Sequence, residues 1–204
     1  SSLNLAVLPA FGSHWLLPRL REFCAQNPEV TVNFGTRPAP FDFAQEHFDA
    51  AIHFGRPDWP GADHLELARE SVIPACAPGA LAQAVAAASD LLSLPLLHLE
   101  GRPGAWEDWF ARQGCRAGHL RGMLFDQYAQ MAEAAALGFG VALLPRYLAE
   151  AEFRTGRLIA PLEGYTEVEG AYHLVWPQLR RPNPALRKLL DWLAALREKR
   201  KPQL

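Results

Sequence analysis

Residues 125–145, which read FDQYAQMAEAAALGFGVALLP, form the stretch of sequence that decides the fold. Apolar side chains recur there at the helical spacing i, i+3, i+4 and i+7, at Tyr128, Met131, Ala132 and Ala135. Alanine has the strongest intrinsic preference for a helix. Asp126 stands just before this pattern. Because its carboxylate can accept hydrogen bonds from the free N–H groups of a first turn, we predict that Asp126 is the helix N-cap.

The same stretch predicts how the helix ends. Gly138 and Gly140 follow the alanines, and glycine adopts the left-handed geometry of a helix C-terminus without a steric penalty. Residues 141–144 are a short apolar run closed by Pro145, which is typical of a buried parallel strand. A second apolar run, residues 123–125, precedes the helix. Strand, helix, turn and strand in this order indicate an α/β fold.

The predicted helix start lies where open α/β sheets bind ligands, at the carboxyl end of a strand. Its first N–H groups have no partner within the helix and attract anions. Asp126, Gln127 and Tyr128 would present a carboxylate, an amide and a phenol at this point. In the alternative interpretation, Asp126 only caps the helix and Tyr128 only packs, and these residues alone leave both interpretations open.

The rest of the chain repeats the alternation of strand and helix. The first part predicts strands at 3–8, 30–34 and 50–54, a helix with Ser13 as N-cap and Asn27 after its end, and a short helix at 41–48. The later part predicts one or two strands within 65–76 and strands at 94–99, 158–159 and 171–176. It also predicts helices at 78–88, 105–113, 145–152 and 183–200. This order implies right-handed crossovers and a mostly parallel sheet.

Composition narrows the class of protein. The chain has 204 residues, of which 50% are hydrophobic and 21% charged, with a net charge of −2 and a pI of about 6.4. These values are ordinary for a globular protein and unlike those of a basic nucleic-acid-binding domain. Cys24, Cys76 and Cys115 do not form a disulfide framework, which favours a reducing cytosol. No apolar run is long enough to predict a membrane span.

The sequence lacks the residue patterns of catalytic, metal-binding and nucleotide-binding sites. The seven histidines show no H-x-x-x-H pair and no Cys/His ligand spacing, so no metal is predicted. Gly138-Phe139-Gly140 lacks the order Gly-x-Gly-x-x-Gly and follows a helix instead of preceding one. No serine stands in a nucleophile motif. We therefore predict no cofactor and no enzymatic activity.

Several blocks, in order along nearly the whole chain, carry a family resemblance. They are residues 5–23 (LAVLPAFGSHWLLPRLREF), 48–55 (FDAAIHFG), 71–78 (SVIPACAP), the pair Trp106 and Trp109, and 125–145. Together they resemble the effector-binding domain of bacterial LysR-type transcriptional regulators. The regulators of glycine-cleavage and β-lactamase genes are the most similar group.

The resemblance implies an α/β fold of the type 2 periplasmic-binding-protein kind, with two lobes that each hold a mixed, mostly parallel sheet flanked by helices. Lobe I would comprise residues 1–76 and 177–204, and lobe II residues 77–176. A separate N-terminal winged helix would bind DNA and is absent from this chain. The cytoplasmic protein would be a homodimer or tetramer, with antiparallel pairing through residues 16–25 and 141–148, and would not bind a membrane.

The function that the resemblance implies is the sensing of a small effector in the cleft between the lobes. The strand-end positions that match this pattern are Ala10, Phe11, Gly12, Ser13, Thr36, Phe54, Gly55, Glu100, Asp126, Gln127, Tyr128 and Tyr172. Helix N-termini facing the cleft would favour a carboxylate, although the sequence offers no arginine clearly positioned to pair with it.

Two of these positions depart from the β-lactamase-gene regulators. Those regulators have a hydroxyl residue where Ala10 stands and a serine near the position of Gln127, whereas Tyr172 matches. The departures argue against assigning the same effector, a cell-wall fragment, to this chain. A solute-binding protein of a transport system, which has the same fold, is the alternative function.

Overall fold

The computed structural model describes residues 1–38 and 40–200, without the side chain of Arg200. The chain forms two compact units: unit 1 combines residues 1–69 with those from 169 onward, and unit 2 comprises residues 70–168. Two long strands, β4 (Ala62–Ala75) and β8 (Thr166–Pro177), run through the points where the chain passes between units. None of the described helices is both long and apolar enough to cross a lipid bilayer.

Parallel strands form most of the sheet in unit 1. β1 (Ser2–Ala6) lies between β2 (Thr31–Gly35) and β3 (Ala50–Gly55) and is parallel to both. β3 pairs with β8 in the antiparallel sense, with Phe54 opposite Tyr172. The predicted α/β arrangement is confirmed, and β1, β2 and β3 all end at the same edge of the sheet.

A continuous helical segment follows β1. It consists of α1 (Pro9–Phe11), a π-helical turn (Gly12–Leu16) and α2 (Leu17–Gln26). Ser13 lies inside this segment, so its prediction as the N-cap is wrong. The helix begins at Pro9 because a proline ring fixes the helical φ angle and its missing N–H is not needed in a first turn.

The last helix, α6 (Pro184–Arg200), belongs to unit 1 and packs on β1. Asn183 caps it, because its side-chain oxygen accepts the N–H of Leu186 at 2.8 Å. Leu186, Leu189 and Leu193 are spaced so that they share one face of this helix, and all three are buried.

Residues 41–48, which were predicted to be a helix, form turns. The side-chain Oδ1 of Asp42 accepts the N–H of Ala44 at 2.9 Å, a local bond that competes with helix formation. Phe43 is buried in an apolar cluster with Trp59. Aromatic packing therefore fixes this segment, and helical hydrogen bonds do not.

Four strands form the sheet of unit 2. β7 (Val141–Pro145) lies between β4 and β5 (Leu96–Leu99), antiparallel to β4 and parallel to β5. β6 (Leu124–Phe125) pairs in parallel with the other side of β5. The predicted strand at 158–159 is reduced to one bridge between Ile159 and Cys76.

α4 (Tyr128–Ala136) connects β6 to β7, as residues 125–145 predict. α4 ends at its C-cap Leu137, and Gly138, with a φ angle of 90°, follows it directly, as predicted. Gly140, with a φ angle of 156°, does not end the helix and lies directly before β7. A Cβ atom added at Gly140 would lie 2.5 Å from the carbonyl oxygen of Pro95. Close packing of the turn against the residue before β5 therefore requires glycine.

α3 (Ala105–Arg112) supplies the aromatic core of unit 2, and α5 (Arg146–Thr155) follows β7. The side chains of Trp106, Trp109 and Phe110 are buried together. The indole N–H of Trp106 donates to the carbonyl oxygen of Leu97 at 2.8 Å, which fixes α3 on β5.

Residues 78–88, predicted to be an alanine-rich helix, form no α-helix, and a 3₁₀ helix (Ala88–Ser93) follows them. The carboxylate of Asp90 accepts the N–H groups of Ala86 and Ala87 at 2.9 and 3.0 Å. Most helices in proteins are stabilised by packing of an apolar face, and alanine offers little area for it. Local propensity alone did not produce the helix.

Candidate functional site

In unit 2, predicted site residues gather where β5 and β6 end side by side. The N–H of Glu100 donates to the carbonyl oxygen of Phe125 at 2.7 Å, which brings Glu100 and Asp126 next to each other. Gln127 is the N-cap of α4, with extended φ and ψ angles of −131° and 138°, so the prediction of Asp126 as N-cap is wrong. Glu100, Asp126 and Gln127 are exposed, and the Gln127 side chain makes no capping hydrogen bond.

Tyr128, the next predicted residue, is buried beside an ion pair. The guanidinium carbon of Arg102 lies 6.0 Å from the centroid of its ring. Arg102 Nε lies 3.2 Å from Oε2 of Glu70, whose exposure is only 2%. Burial, followed by the negative charge of Glu70, raises the pKa of the Tyr128 phenol above its usual value.

The sequence reasoning missed this ion pair. Arg102 lies two residues beyond Glu100 in the loop after β5, so its strand-end position could have identified it. Glu70 lies in β4, 32 residues away, and no local pattern links the two. The ion pair holds the guanidinium of Arg102 at the strand-end edge of unit 2. The sequence analysis predicted a carboxylate ligand at the strand ends but identified no arginine to pair with it.

In unit 1, the ends of β1 and β2 surround a cavity of about 330 Å³. Gly12, Ser13 and Thr36, all predicted site residues, line it together. The parallel register of Ala6 with Gly35 brings them together, because the loops after both strands leave the sheet at the same edge. The cavity supplies two hydroxyl groups close to a small apolar surface.

Three further predicted residues of unit 1, Phe11, Phe54 and Tyr172, form an aromatic cluster. The rings of Phe11 and Tyr172 stack with centroids 4.0 Å apart and an interplanar angle of 10°, and the Phe54 ring lies 4.8 Å from that of Tyr172. Tyr172 is only 1% exposed. Its ring therefore has a packing role in unit 1, and its role in effector binding stays a prediction.

Ala10 and Gly55 complete the predicted set in unit 1. Ala10 is half-buried in α1, directly before Phe11. Gly55 ends β3 with a φ angle of 130° and pairs with Ala171 of β8. Both lie at the strand-end edge. A single effector site shared by residues of the two units stays a prediction.

Three histidines from different strands of unit 1 lie close together. The ring centroids of His53, His64 and His173 are 5.7–6.4 Å apart. Nε2 of His64 accepts the N–H of Trp59 at 3.2 Å. In residues 1–38 and 40–200, no group of three His, Cys, Asp or Glu side chains is arranged to hold a metal ion.

The environment of this cluster favours the neutral form of His64 and of His173. Burial lowers the pKa of His64, and the nearby charge of His53 lowers it further. Burial also lowers the pKa of His173, followed by the effect of His64. The opposing carboxylates Asp58, Asp63 and Glu66 act more weakly.

Comparison with known proteins identifies the family of this chain. The profile of the family described as "LysR substrate binding domain" matches residues 1–197. The chain is 36% identical over 191 residues to the transcriptional activator AmpR of Rhodobacter capsulatus, covering 94% of this chain and 65% of that protein. It is 29% identical over 197 residues to the glycine cleavage system transcriptional activator of Escherichia coli K12, covering 95% and 64%. These relatives are transcriptional regulators, which are not enzymes.

A solved structure has the same fold. The effector domain of AmpR from Pseudomonas aeruginosa matches with a TM-score of 0.86 and 30% sequence identity, over 98% of this chain and 96% of that one. The chain spans just under two-thirds of the length of the curated relatives that it matches, at 65% and 64%. The match of the family profile over almost the whole chain, the similarity to AmpR and the shared fold lead to one conclusion: this chain belongs to the family of LysR substrate-binding domains.

Proposed function

We propose that this chain is the ligand-sensing, dimerising regulatory domain of a LysR-type transcriptional regulator. A small effector binds at the strand-end residues, in the cleft that the family resemblance implies. The full-length protein acts in the cytoplasm as a homodimer or tetramer and binds DNA through a separate N-terminal domain. The family match and the regulatory relatives support this function over solute transport.

The observation that supports this proposal is a set of polar side chains that do not contribute hydrogen bonds or ion pairs to the fold. They stand at the strand-end edges of the two units and are exposed: Ser13, Thr36, Glu100, Asp126 and Gln127. Within the part of the chain that the structure describes, none of these side chains makes a hydrogen bond or an ion pair. Polar groups without a structural partner at strand-end loops are typical of binding sites positioned by a rigid scaffold.

The chemistry of the unit 2 edge supports a small carboxylate as the effector. The first N–H groups of α4 follow Gln127, and a helix N-terminus attracts negative charge. The guanidinium of Arg102 lies in the adjacent loop, although Glu70 balances much of its charge. The exposed carboxylates Glu100 and Asp126 disfavour a ligand with several negative charges.

A screen of small carboxylates by thermal shift, followed by calorimetry, tests the proposal. A ligand present at 100 times its Kd adds about 2.7 kcal/mol to stability. We expect Gln127→Ala to weaken the binding of a hit by roughly two- to tenfold, because it removes one neutral hydrogen bond. Gln130→Ala, on the exposed part of α4, is the matched control. Equal affinities of the two variants would exclude Gln127 from the site.

Tyr172→Phe separates effector binding from packing. Phenylalanine keeps the ring that stacks on Phe11, so folding should change little. Binding should weaken by roughly two- to tenfold if the phenol contacts the effector. Tyr172→Ala should instead destabilise the chain by about 3–5 kcal/mol, the usual cost of removing a large buried ring. Unchanged affinity of Tyr172→Phe would limit Tyr172 to the packing of unit 1.

A further inference from the structure

Unit 1 contains a second cavity whose volume is about 660 Å³. It is lined by the turns at 41–44, the loop at 59–61 and the segment after β8. Among the described residues, it shares none with the cavity beside Ser13 and none with the predicted effector positions. Its volume lies within the range of 300–1,000 Å³ that is typical of small-molecule sites.

Aromatic rings form the wall of this cavity. Phe41 meets Trp59 edge to face, with centroids 5.1 Å apart and an interplanar angle of 88°. Phe43 lies 5.4 Å from Trp59 and is buried, whereas Phe41 is only half-buried. Trp59 is also buried, so the partly exposed ring of Phe41 is the face that can pack against a further ring. Aromatic pairs at such distances attract each other beyond simple area burial.

Arg180 stands at this aromatic wall and is held by backbone oxygens. Its Nη2 donates to the carbonyl oxygen of Phe43 at 2.9 Å, and its Nη1 donates to that of Phe48 at 3.2 Å. A guanidinium carries five N–H donors, so three of them stay available for a ligand. Among the residues that the structure describes, no carboxylate forms an ion pair with Arg180. Asp42, which also lines the cavity, accepts the N–H of Ala44.

We propose that this cavity is a second ligand site that binds a small aromatic monocarboxylate, with its ring against Phe41 and its carboxylate on Arg180. The guanidinium fork suits a planar carboxylate. The two backbone bonds hold Arg180 in position, which reduces the entropy lost on binding. The negative charge of Asp42 at the same cavity selects against a second anionic group on the ligand.

Phenylacetate and its neutral amide, phenylacetamide, are the probes for this site. In calorimetry on the unmodified chain, phenylacetate binds saturably and phenylacetamide binds at least about tenfold more weakly, because only the acid pairs with the guanidinium. Resonances of residues 41–44 and 178–180 shift most in amide NMR spectra as phenylacetate is added. Arg180→Gln weakens phenylacetate about tenfold to a hundredfold. Arg181→Gln, which removes the adjacent exposed charge, leaves its affinity unchanged.

Several results would overturn the proposal. Equal binding of the acid and the amide, or equal affinity of the Arg180→Gln and Arg181→Gln variants, would remove the role of the guanidinium. Absence of saturable binding up to about 10 mM phenylacetate would remove the site. Sedimentation in which Arg180→Gln abolishes self-association and phenylacetate does not bind would identify the cavity as a contact between copies of the chain. Circular dichroism of both variants checks that they fold, and the comparison of acid with amide needs no variant.

Discussion

Glu70 and His173 are buried ionisable residues whose neighbours come from distant parts of the sequence. Glu70 is buried because Arg102, from the loop after β5, pairs with its carboxylate. His173 lies among imidazoles from β3 and β4, and its Nδ1 has no hydrogen-bond partner in the described part of the chain. Burial of a charge without a partner is costly, so the two residues should respond differently to mutation and to pH.

Glu70→Gln tests the buried ion pair. The amide keeps the shape but removes the charge that balances Arg102, so we expect a loss of about 3 kcal/mol in the free energy of unfolding. Urea denaturation measures this loss. Glu150→Gln, which breaks the exposed pair between Arg146 and Glu150, is the matched control and should change stability little. Equal effects of the two substitutions would show that Glu70 and Arg102 do not stabilise unit 2.

The histidine cluster predicts a loss of stability in acid. The folded chain lowers the pKa of His64 and His173 below the ordinary value of 6.5, so the unfolded chain binds protons more tightly. The stability is therefore fully present above about pH 6.5 and is lost as the pH falls through the lowered values. A series of melting temperatures across this range measures the effect.

His64→Gln tests this pH dependence, and His47→Gln is its control. Glutamine at 64 keeps an acceptor for the N–H of Trp59 but cannot gain the imidazole charge, so the acid-side slope should become smaller. His47 is exposed, and its replacement should leave the slope as it is in the unmodified chain. A His64→Gln variant as acid-sensitive as the unmodified chain would contradict the assignment.

At the scale of elements, helices that pair an apolar stripe with a defined end were predicted correctly. α4 and α6 have both features, and both are present. Residues 41–48 and 78–88 were predicted to be helices but lack such an apolar stripe. Both segments form turns or irregular backbone. Isolated helices of this length are marginal in water, so side-chain capping by Asp42 or Asp90 and local aromatic packing decide their conformation.

The turn between α4 and β7 gives a prediction at this scale. Gly140→Ala should destabilise the chain by more than about 2 kcal/mol, because it combines a strained φ angle with a Cβ 2.5 Å from the backbone of Pro95. Gly138→Ala, where no atom lies within 4 Å of the added Cβ, should cost only the strain of a left-handed alanine, about 1–2 kcal/mol. Chemical denaturation compares them. A larger loss at 138 than at 140 would contradict this account.

At the scale of the whole molecule, exposed apolar residues near the predicted interface are the surfaces that the proposed dimer could use. Leu17, at the start of α2, is 49% exposed. In contrast, the side chains of residues 141–144 are buried within unit 2 and cannot form much of an interface. Leu137 and Phe139, just before β7, are 68% and 52% exposed and offer a better surface near the predicted one. A two-fold dimer must use such surfaces in a self-complementary way.

Leu17→Glu should weaken self-association by at least about tenfold, because it puts a charge into an apolar contact. Sedimentation velocity across micromolar to millimolar concentrations measures the change. Leu92→Glu, at a position of similar exposure (39%) that the predicted interface does not use, is the matched control and should associate like the unmodified chain. An unmodified chain that stays monomeric throughout would contradict dimerisation by this domain.

The sequence by itself determined the α/β class, the order of strands and most helices, and the family. Periodicity and glycine positions are local properties, so a block such as residues 125–145 predicts its own secondary structure without reference to the rest of the chain. The same local reasoning predicts that ligands bind at the strand ends, because parallel strands end at one edge of the sheet.

The tertiary structure alone decided which side chains meet. The pairing of Glu70 with Arg102, the stacking of Tyr172 on Phe11, the three neighbouring histidines and the position of Arg180 on an aromatic wall all join residues that are far apart in the sequence. Burial and partner charges set the pKa values of Tyr128, His64 and His173, and both quantities arise only when strands from different parts of the chain pack together.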